Sequence, residues 1–143
     1  MEGFLQRYIR LNRSLITLLN ELLSKYELTY SLWQVILYIK NNGPSTLVDI
    51  ANEYDVEKPT ITRRVYRLEE YQFVRQITSQ DRREKIIELT ELGEDVYKEC
   101  RKKITDLEMR IMEGIAKEEQ EVIFELLPKI QDNVINKGGS TIE

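Results

Sequence analysis

Apolar residues recur at helical spacing from the start of the chain. Phe4, Tyr8, Leu11, Leu15, Leu18 and Leu22 fall three or four residues apart, and Leu5, Ile9, Ile16, Leu19 and Leu23 run beside them. Two adjacent stripes predict a helix over 4–23. Its apolar face is wider than a two-stranded coiled-coil seam, so several elements or a second chain must cover it. A second helix should start near Thr29 or Ser31, where Ser31 and Gln34 form a capping box. Trp33, Val35, Ile36, Leu37 and Ile39 make that helix heavily buried. Asn41-Asn42-Gly43-Pro44 ends it, because glycine accepts left-handed backbone and proline cannot continue a helix.

Thr46 is the next N-cap, and Leu47, Ile50, Ala51 and Tyr54 give a short third helix one apolar face. Lys58-Pro59-Thr60 opens a fourth helix, since proline is favoured in a first turn. Ile61, Val65 and Leu68 form its apolar stripe, with Thr60, Thr62, Arg63, Arg64 and Arg67 mostly on other faces. Two short helices joined by a tight turn, the second basic outside, have the layout of a helix-turn-helix. The period then changes. Phe73 to Thr78 and Lys85 to Leu89 are short Val/Ile-rich runs around the polar turn Ser79-Gln80-Asp81-Arg82-Arg83-Glu84. This pattern predicts a β-hairpin with arginines at its tip.

Helical spacing returns after Thr90, a further cap. Leu92, Val96, Cys100, Ile104, Leu107, Ile111 and Ile115 define a helix of about 24 residues, near 36 Å long. Lys117-Glu118-Glu119 interrupts the stripe. A last helix carries Val122, Leu126, Ile130 and Val134, and a frayed tail is expected over 136–143.

The length of 143 residues suits one domain. No stretch approaches the roughly 20 apolar residues of a membrane span. The first fifteen residues mix charged and apolar side chains without a signal-peptide core, so a cytoplasmic location is expected. There are no histidines and one cysteine. This composition excludes Ser-His-Asp triads, Cys-His dyads and His-bearing zinc sites. No nucleophile–base pair, metal cluster or phosphate loop argues for an enzyme, and no metal or cofactor is implied. The net charge of −4 is unevenly spread: −2 over 1–57, +4 over 58–85 and −6 over 86–143. A basic block in an acidic chain suggests one face that meets a polyanion.

The order of elements resembles the MarR family of winged helix-turn-helix regulators. Asp81-x-Arg83, five residues, Leu89-Thr90, two residues and Gly93 match the family's wing-to-helix signature. Ile50-Ala51, Pro59-Thr60-Ile61-Thr62-Arg63 and Leu68-Glu69 match its helix-turn-helix, and the likeness extends over about 4–135. Where many relatives have glycine, this chain has Asp55 and Gln72. The implied architecture is mainly α with a small β-hairpin wing. A winged helix-turn-helix lobe at 29–92, with the helix-turn-helix about 46–69 and the wing about 73–89, is flanked by dimerisation helices at 1–28 and 93–135.

The resemblance implies a bacterial or archaeal homodimer that binds a pseudo-palindromic double-stranded operator and regulates transcription, more often as a repressor. Lys58, Pro59, Thr60, Thr62, Arg63, Arg64 and Arg67 would meet the major groove, with Arg63 suited to a guanine edge. Arg83 would enter the minor groove, Arg82 would lie beside it, and Asp81 would hold the wing arginine in position. Phe4, Leu5, Tyr8, Leu11 and Leu15 with Val122, Leu126, Ile130 and Val134 would form the dimer interface. A small aromatic or lipophilic effector is a further implied ligand, with Tyr8, Tyr26, Trp33, Tyr38 and Tyr66 as candidate pocket residues. Aromatics at helical spacing are more often plain core. Peroxide-sensing relatives use a cysteine near the N-terminus and zinc-sensing ones use histidines; this chain has neither. The competing reading is a winged-helix module that binds protein rather than DNA.

Overall fold

The computed structural model describes residues 3–77 and 84–137. Its elements are α1 (Phe4–Ser24), α2 (Tyr30–Asn42), β1 (Ser45–Thr46), α3 (Leu47–Glu53), α4 (Lys58–Glu70), β2 (Val74–Ile77), β3 (Ile86–Leu89), α5 (Glu91–Ile111) and α6 (Lys117–Lys137). The chain divides into two compact units, the first ending at Thr105 and the second beginning at Asp106.

In the first unit α1 packs on α2, and both α2 and α3 pack on α4. Leu23, Leu28, Val35, Ile36, Ile50, Ile61, Leu68, Ile87 and Cys100 form the centre of one core. The strands form a sheet in the order β1-β3-β2, both pairings antiparallel, with Val74 opposite Leu89 and Ser45 opposite Ile87. The strand at Ser45–Thr46 was not expected. Thr46 has two roles: it ends β1, and its hydroxyl accepts the Asp49 N–H to cap α3.

The cap of α2 is Thr29, whose hydroxyl accepts the Leu32 N–H at 3.3 Å. This corrects the capping box expected at Ser31, which lies inside the first turn. Gly43 at φ 78° closes α2, as its sequence position predicted. Asp55 and Gln72 both adopt left-handed backbone, at φ 51° and 64°. The chain keeps the turns that glycine serves in relatives and pays a steric cost of about 1 kcal/mol at Gln72.

The joint after the wing is built from the signature residues. Thr90 N–H donates to the Phe73 carbonyl at 3.0 Å. Its hydroxyl donates to the Gln72 carbonyl at 2.6 Å and accepts the Gly93 N–H at 3.0 Å. A Cβ at Gly93 would lie 2.0 Å from the Phe73 carbonyl oxygen. Glycine is therefore required where α5 passes the end of α4.

Helix α5 stops at Ile111, short of the predicted 24 residues, and Gly114 at φ 79° follows in a turn. The apolar stripe continues to Ile115, but the backbone does not. In the second unit α6 starts at Lys117, and the Glu119 carboxylate accepts the Ala116 N–H at 3.1 Å. The three charged residues read as an interruption are thus the helix's first turn. Helix α6 runs to Lys137, and the rest of the tail expected to fray, 138–143, lies outside the described residues. It also runs through Pro128.

Candidate nucleic-acid interface

Helix α4 buries Ile61, Val65 and Leu68. That phase fixes where every other side chain points, at 100° per residue. Pro59, Arg63 and Tyr66 fall on the outward ridge. Lys58 and Thr62 lie on one flank, and Thr60, Arg64 and Arg67 on the other. Pro59 occupies the first turn, where its missing N–H costs nothing. Lys58, Pro59, Thr62, Arg63 and Arg67 are exposed, and Thr60 and Arg64 are half-buried. All seven recognition-helix residues named from the sequence therefore reach the surface around one outward face.

Local bonds shape this surface. The Thr62 hydroxyl donates to the Lys58 carbonyl at 3.0 Å, which leaves its lone pairs outward. Arg63 Nη2 lies 3.4 Å from Thr60 Oγ1 and donates to it weakly. Among the described residues, Lys58, Arg63, Arg64 and Arg67 have no ion-pair partner. The cations of α4 are not used to hold the fold together.

A notch lies on each side of α4. One is lined by Thr46, Leu47, Val48, Lys58, Thr62, Glu84 and Lys85. The other is lined by Thr29, Ser31 and Leu32 of the α2 start, together with Thr60, Arg63, Arg64 and Arg67. Val48 is 49% exposed at the head of α3. Thr29 and Ser31 were expected only as helix-start residues, and Val48 carried no expectation. Only the packing of α2 and α3 against α4 brings them to this face, and helical phase within one element cannot reveal that.

The wing residues Asp81, Arg82 and Arg83 lie outside the described residues. The base of the wing is ordered by an Arg75–Glu88 ion pair of 2.8 Å across β2 and β3. Gln76 also donates to Glu69 at 3.1 Å, tying the wing base to α4.

The five aromatic residues named for an effector pocket stand in different settings. Trp33 is buried and stacks on Tyr97 at 5.5 Å. Tyr38 meets Tyr54 edge-on at 6.3 Å. Tyr8 stacks on Phe4 at 5.9 Å and is half exposed. Tyr26 packs against the core, and burial raises its phenol pKa. Tyr66 stands 66% exposed on the outer ridge of α4. It shares that ridge with Arg63.

Of the residues named for a dimer interface, Phe4, Leu5, Tyr8 and Leu11 are exposed on α1 and Leu15 is half-buried. Within the second unit, Val122, Leu126 and Val134 are exposed on α6, and Ile130 is half-buried. Cys100 sits in the core, and burial pushes its thiol pKa up to about 12. Among the described residues no group of three or more Cys, Asp or Glu side chains is placed to hold a metal ion. No described helix is long and apolar enough to cross a membrane.

Comparison with known proteins decides the family. The MarR family model matches residues 28–85. The HTH-type transcriptional regulator YwoH of Bacillus subtilis (strain 168) is 34% identical over 107 residues, spanning 75% of this chain and 78% of that protein. The chain belongs to the MarR family. A mutant MarR from E. coli complexed with operator DNA is 26% identical with a TM-score of 0.78, covering 88% of this chain and 92% of that one. A Staphylococcus aureus MarR in complex with salicylate and kanamycin has the same fold. Its TM-score is 0.84 at 22% identity, with 92% and 90% of the two chains covered. This MarR-family protein is thus a winged-helix transcriptional regulator of a non-enzymatic, DNA-binding family.

Proposed function

We propose that this MarR-family protein is a cytoplasmic homodimer that binds a pseudo-palindromic operator and represses transcription, and that a small aromatic or lipophilic ligand releases it. The observation that carries the reading is the outward face of α4. Its cations have no ion-pair partner among the described residues, and a notch whose lining includes hydroxyls and cations flanks it on each side, Glu84 also lining the one beside Lys58. Operator DNA in the complex of the E. coli relative supports the same partner.

In this reading α4 enters the major groove. Arg63 donates to a guanine edge, and Thr60 and Thr62 make close base or phosphate contacts. Lys58, Arg64 and Arg67 meet the flanking phosphates. Tyr66 lies over the groove floor, where its ring can contact a thymine methyl. Arg83 enters the minor groove, with Arg82 on adjacent phosphates and Asp81 orienting the wing. The exposed apolar faces of α1 and of α6 are each covered by a second copy of the chain. Two recognition helices then address successive major grooves about 34 Å apart.

Salicylate on the S. aureus relative supports an aromatic carboxylate as the effector class. Such a ligand acts only through unequal affinity for the DNA-competent and DNA-incompetent dimers.

The test is a pair of variants measured against an operator fragment. Arg63→Ala is expected to weaken binding about tenfold and to relax specificity at one base pair per half-site. Arg83→Ala is expected to weaken it at least as much. Both should leave the melting temperature within about 2 °C, since surface changes alter stability by less than ~0.5 kcal/mol. Wild-type affinity in both variants would remove α4 and the wing from the mechanism.

A further inference from the structure

We propose that Asn20 is a positioning residue: its side chain fixes the angle between α1 and the helix-turn-helix lobe, and so holds the two recognition helices of the dimer at one separation. The inference rests on the dimer reading above and concerns a bond made within one chain.

Helix α1 ends in a closed corner. The Glu27 N–H donates to the Ser24 carbonyl and the Leu28 N–H to the Leu23 carbonyl, both at 3.1 Å. Glu27 has left-handed backbone at φ 63°, which completes a Schellman pattern. Leu23 and Leu28, the apolar pair that such a corner brings together, are both buried in the core. A non-glycine residue is unfavourable at this φ, so the corner persists because its surroundings hold it.

Asn20 adds a bond from one helix to the other. Its Oδ1 accepts the Tyr30 N–H at 2.7 Å. Tyr30 is the first residue of α2, where the opening N–H groups have no partner inside the helix. The Leu32 N–H donates to the Thr29 hydroxyl and the Trp33 N–H to the Thr29 carbonyl, both bonds local to α2. Of these three, the Asn20 bond alone crosses from α1. Apolar burial at Leu23 and Leu28 is non-directional and allows the helices to rock. A short hydrogen bond is directional and opposes that rocking.

Leverage makes the angle matter. Residues 4–14 of α1 are exposed, whereas Leu23 is fully buried and Leu19 and Leu22 pack against the core. The helix is an arm seated on the lobe at one end. Phe4, Leu5, Tyr8 and Leu11, assigned above to contact with the second copy, all lie on the exposed part. Phe4 is about 24 Å from Asn20 at the α-helical rise. A tilt of about 8° at Asn20 moves that end about 3.4 Å, one base-pair step along a strand. Small play at the corner therefore becomes a whole step of error in half-site spacing.

The test measures the spacing itself. Glu53 is exposed at the end of α3, so Glu53→Cys carries one nitroxide per chain, while the buried Cys100 stays unlabelled. Dipolar electron resonance on the full chain then gives the label-to-label distance distribution in the dimer. Asn20→Ala removes the acceptor and should broaden the distribution about twofold. Asn20→Asp keeps an acceptor and suits the positive end of α2, so it should restore the wild-type width. Ile87→Val trims the core away from the corner and lowers stability without touching Asn20; it should keep the wild-type width.

A wild-type width in Asn20→Ala would overturn the assignment and leave the dimer intact. Equal broadening in Ile87→Val would also overturn it, by tracing the spread to stability. Failure of Asn20→Asp to narrow the distribution would exclude the hydrogen bond as its source. Absence of any dipolar coupling in the labelled protein with Asn20 intact would overturn the dimer reading, and the proposal with it.

Discussion

Tyr66 and Arg63 sit one turn apart on α4, and the burial of Val65 between them sets both outward. The sequence lists Tyr66 among several tyrosines, and composition alone groups it with the others. The phase of Ile61, Val65 and Leu68 separates it, because position 66 falls well away from that stripe. Cys100 shows the opposite case. Its place in an apolar stripe already marked it as core, and the structure buries it completely. Burial pushes the Cys100 thiol up to about 12, and burial likewise pushes the Tyr54 phenol up to about 12. The Tyr54 hydroxyl donates to the Gln34 carbonyl at 2.7 Å, which requires the protonated form. Both groups hold their protons more tightly folded than unfolded. Their contribution is complete below the unfolded values of about 8.5 and 10 and is lost as pH rises toward 12. Chemical denaturation followed from pH 8 to 11 should show stability falling above about pH 9. In the native protein at pH 8, a thiol reagent should modify Cys100 only through unfolding; fast labelling would place the thiol at the surface.

Elements were legible where a local signal ends them. Thr46 and Thr90 as caps, Gly43 as a stop and Pro59 as a starter all stand where the chain's pattern put them. The strand at Ser45–Thr46 was not legible, because two residues form a strand only by pairing with Ile86 and Ile87. Nor was the end of α5, where apolar spacing outlasts the helix. The positive φ of 63° at Glu27 likewise carried no residue-type signal. The joint between α4, the wing and α5 gives two predictions of opposite sign. Gly93→Ala drives a methyl into the Phe73 carbonyl, so it should destabilise by about 3 kcal/mol and loosen the base of the wing. Gln72→Gly relieves left-handed strain, so it should stabilise by about 0.5–1 kcal/mol, a rise of about 2–4 °C in Tm. Thermal unfolding of the two variants beside the wild type checks both. A Gly93→Ala protein that melts with the wild type would mean that α5 does not pass so close to Phe73.

At the scale of the whole molecule, two features bear on the proposed partners. Phe4, Leu5, Ile9 and Leu11 are more than half exposed on α1, and Val122, Phe124, Leu127, Val134 and Ile135 on α6. Obligate interfaces resemble a core cut in half, and these faces have that composition. Sedimentation at micromolar concentration should give twice the chain mass, and Leu5→Glu with Leu126→Glu should give monomer. A wild-type monomer would remove the paired recognition helices from the account. The second feature is the charge distribution: an acidic chain concentrates its positive block on the helix-turn-helix and wing. The acidic remainder repels DNA elsewhere and so favours one docking face. The central claim is that this face reads duplex DNA. Its most direct test is binding of the purified protein to the region upstream of its own gene, beside a scrambled duplex, at two salt concentrations. Tight, sequence-dependent binding that weakens steeply with salt is the predicted result. Absence of binding to either duplex at low salt would contradict it and favour a protein-binding role for the winged helix.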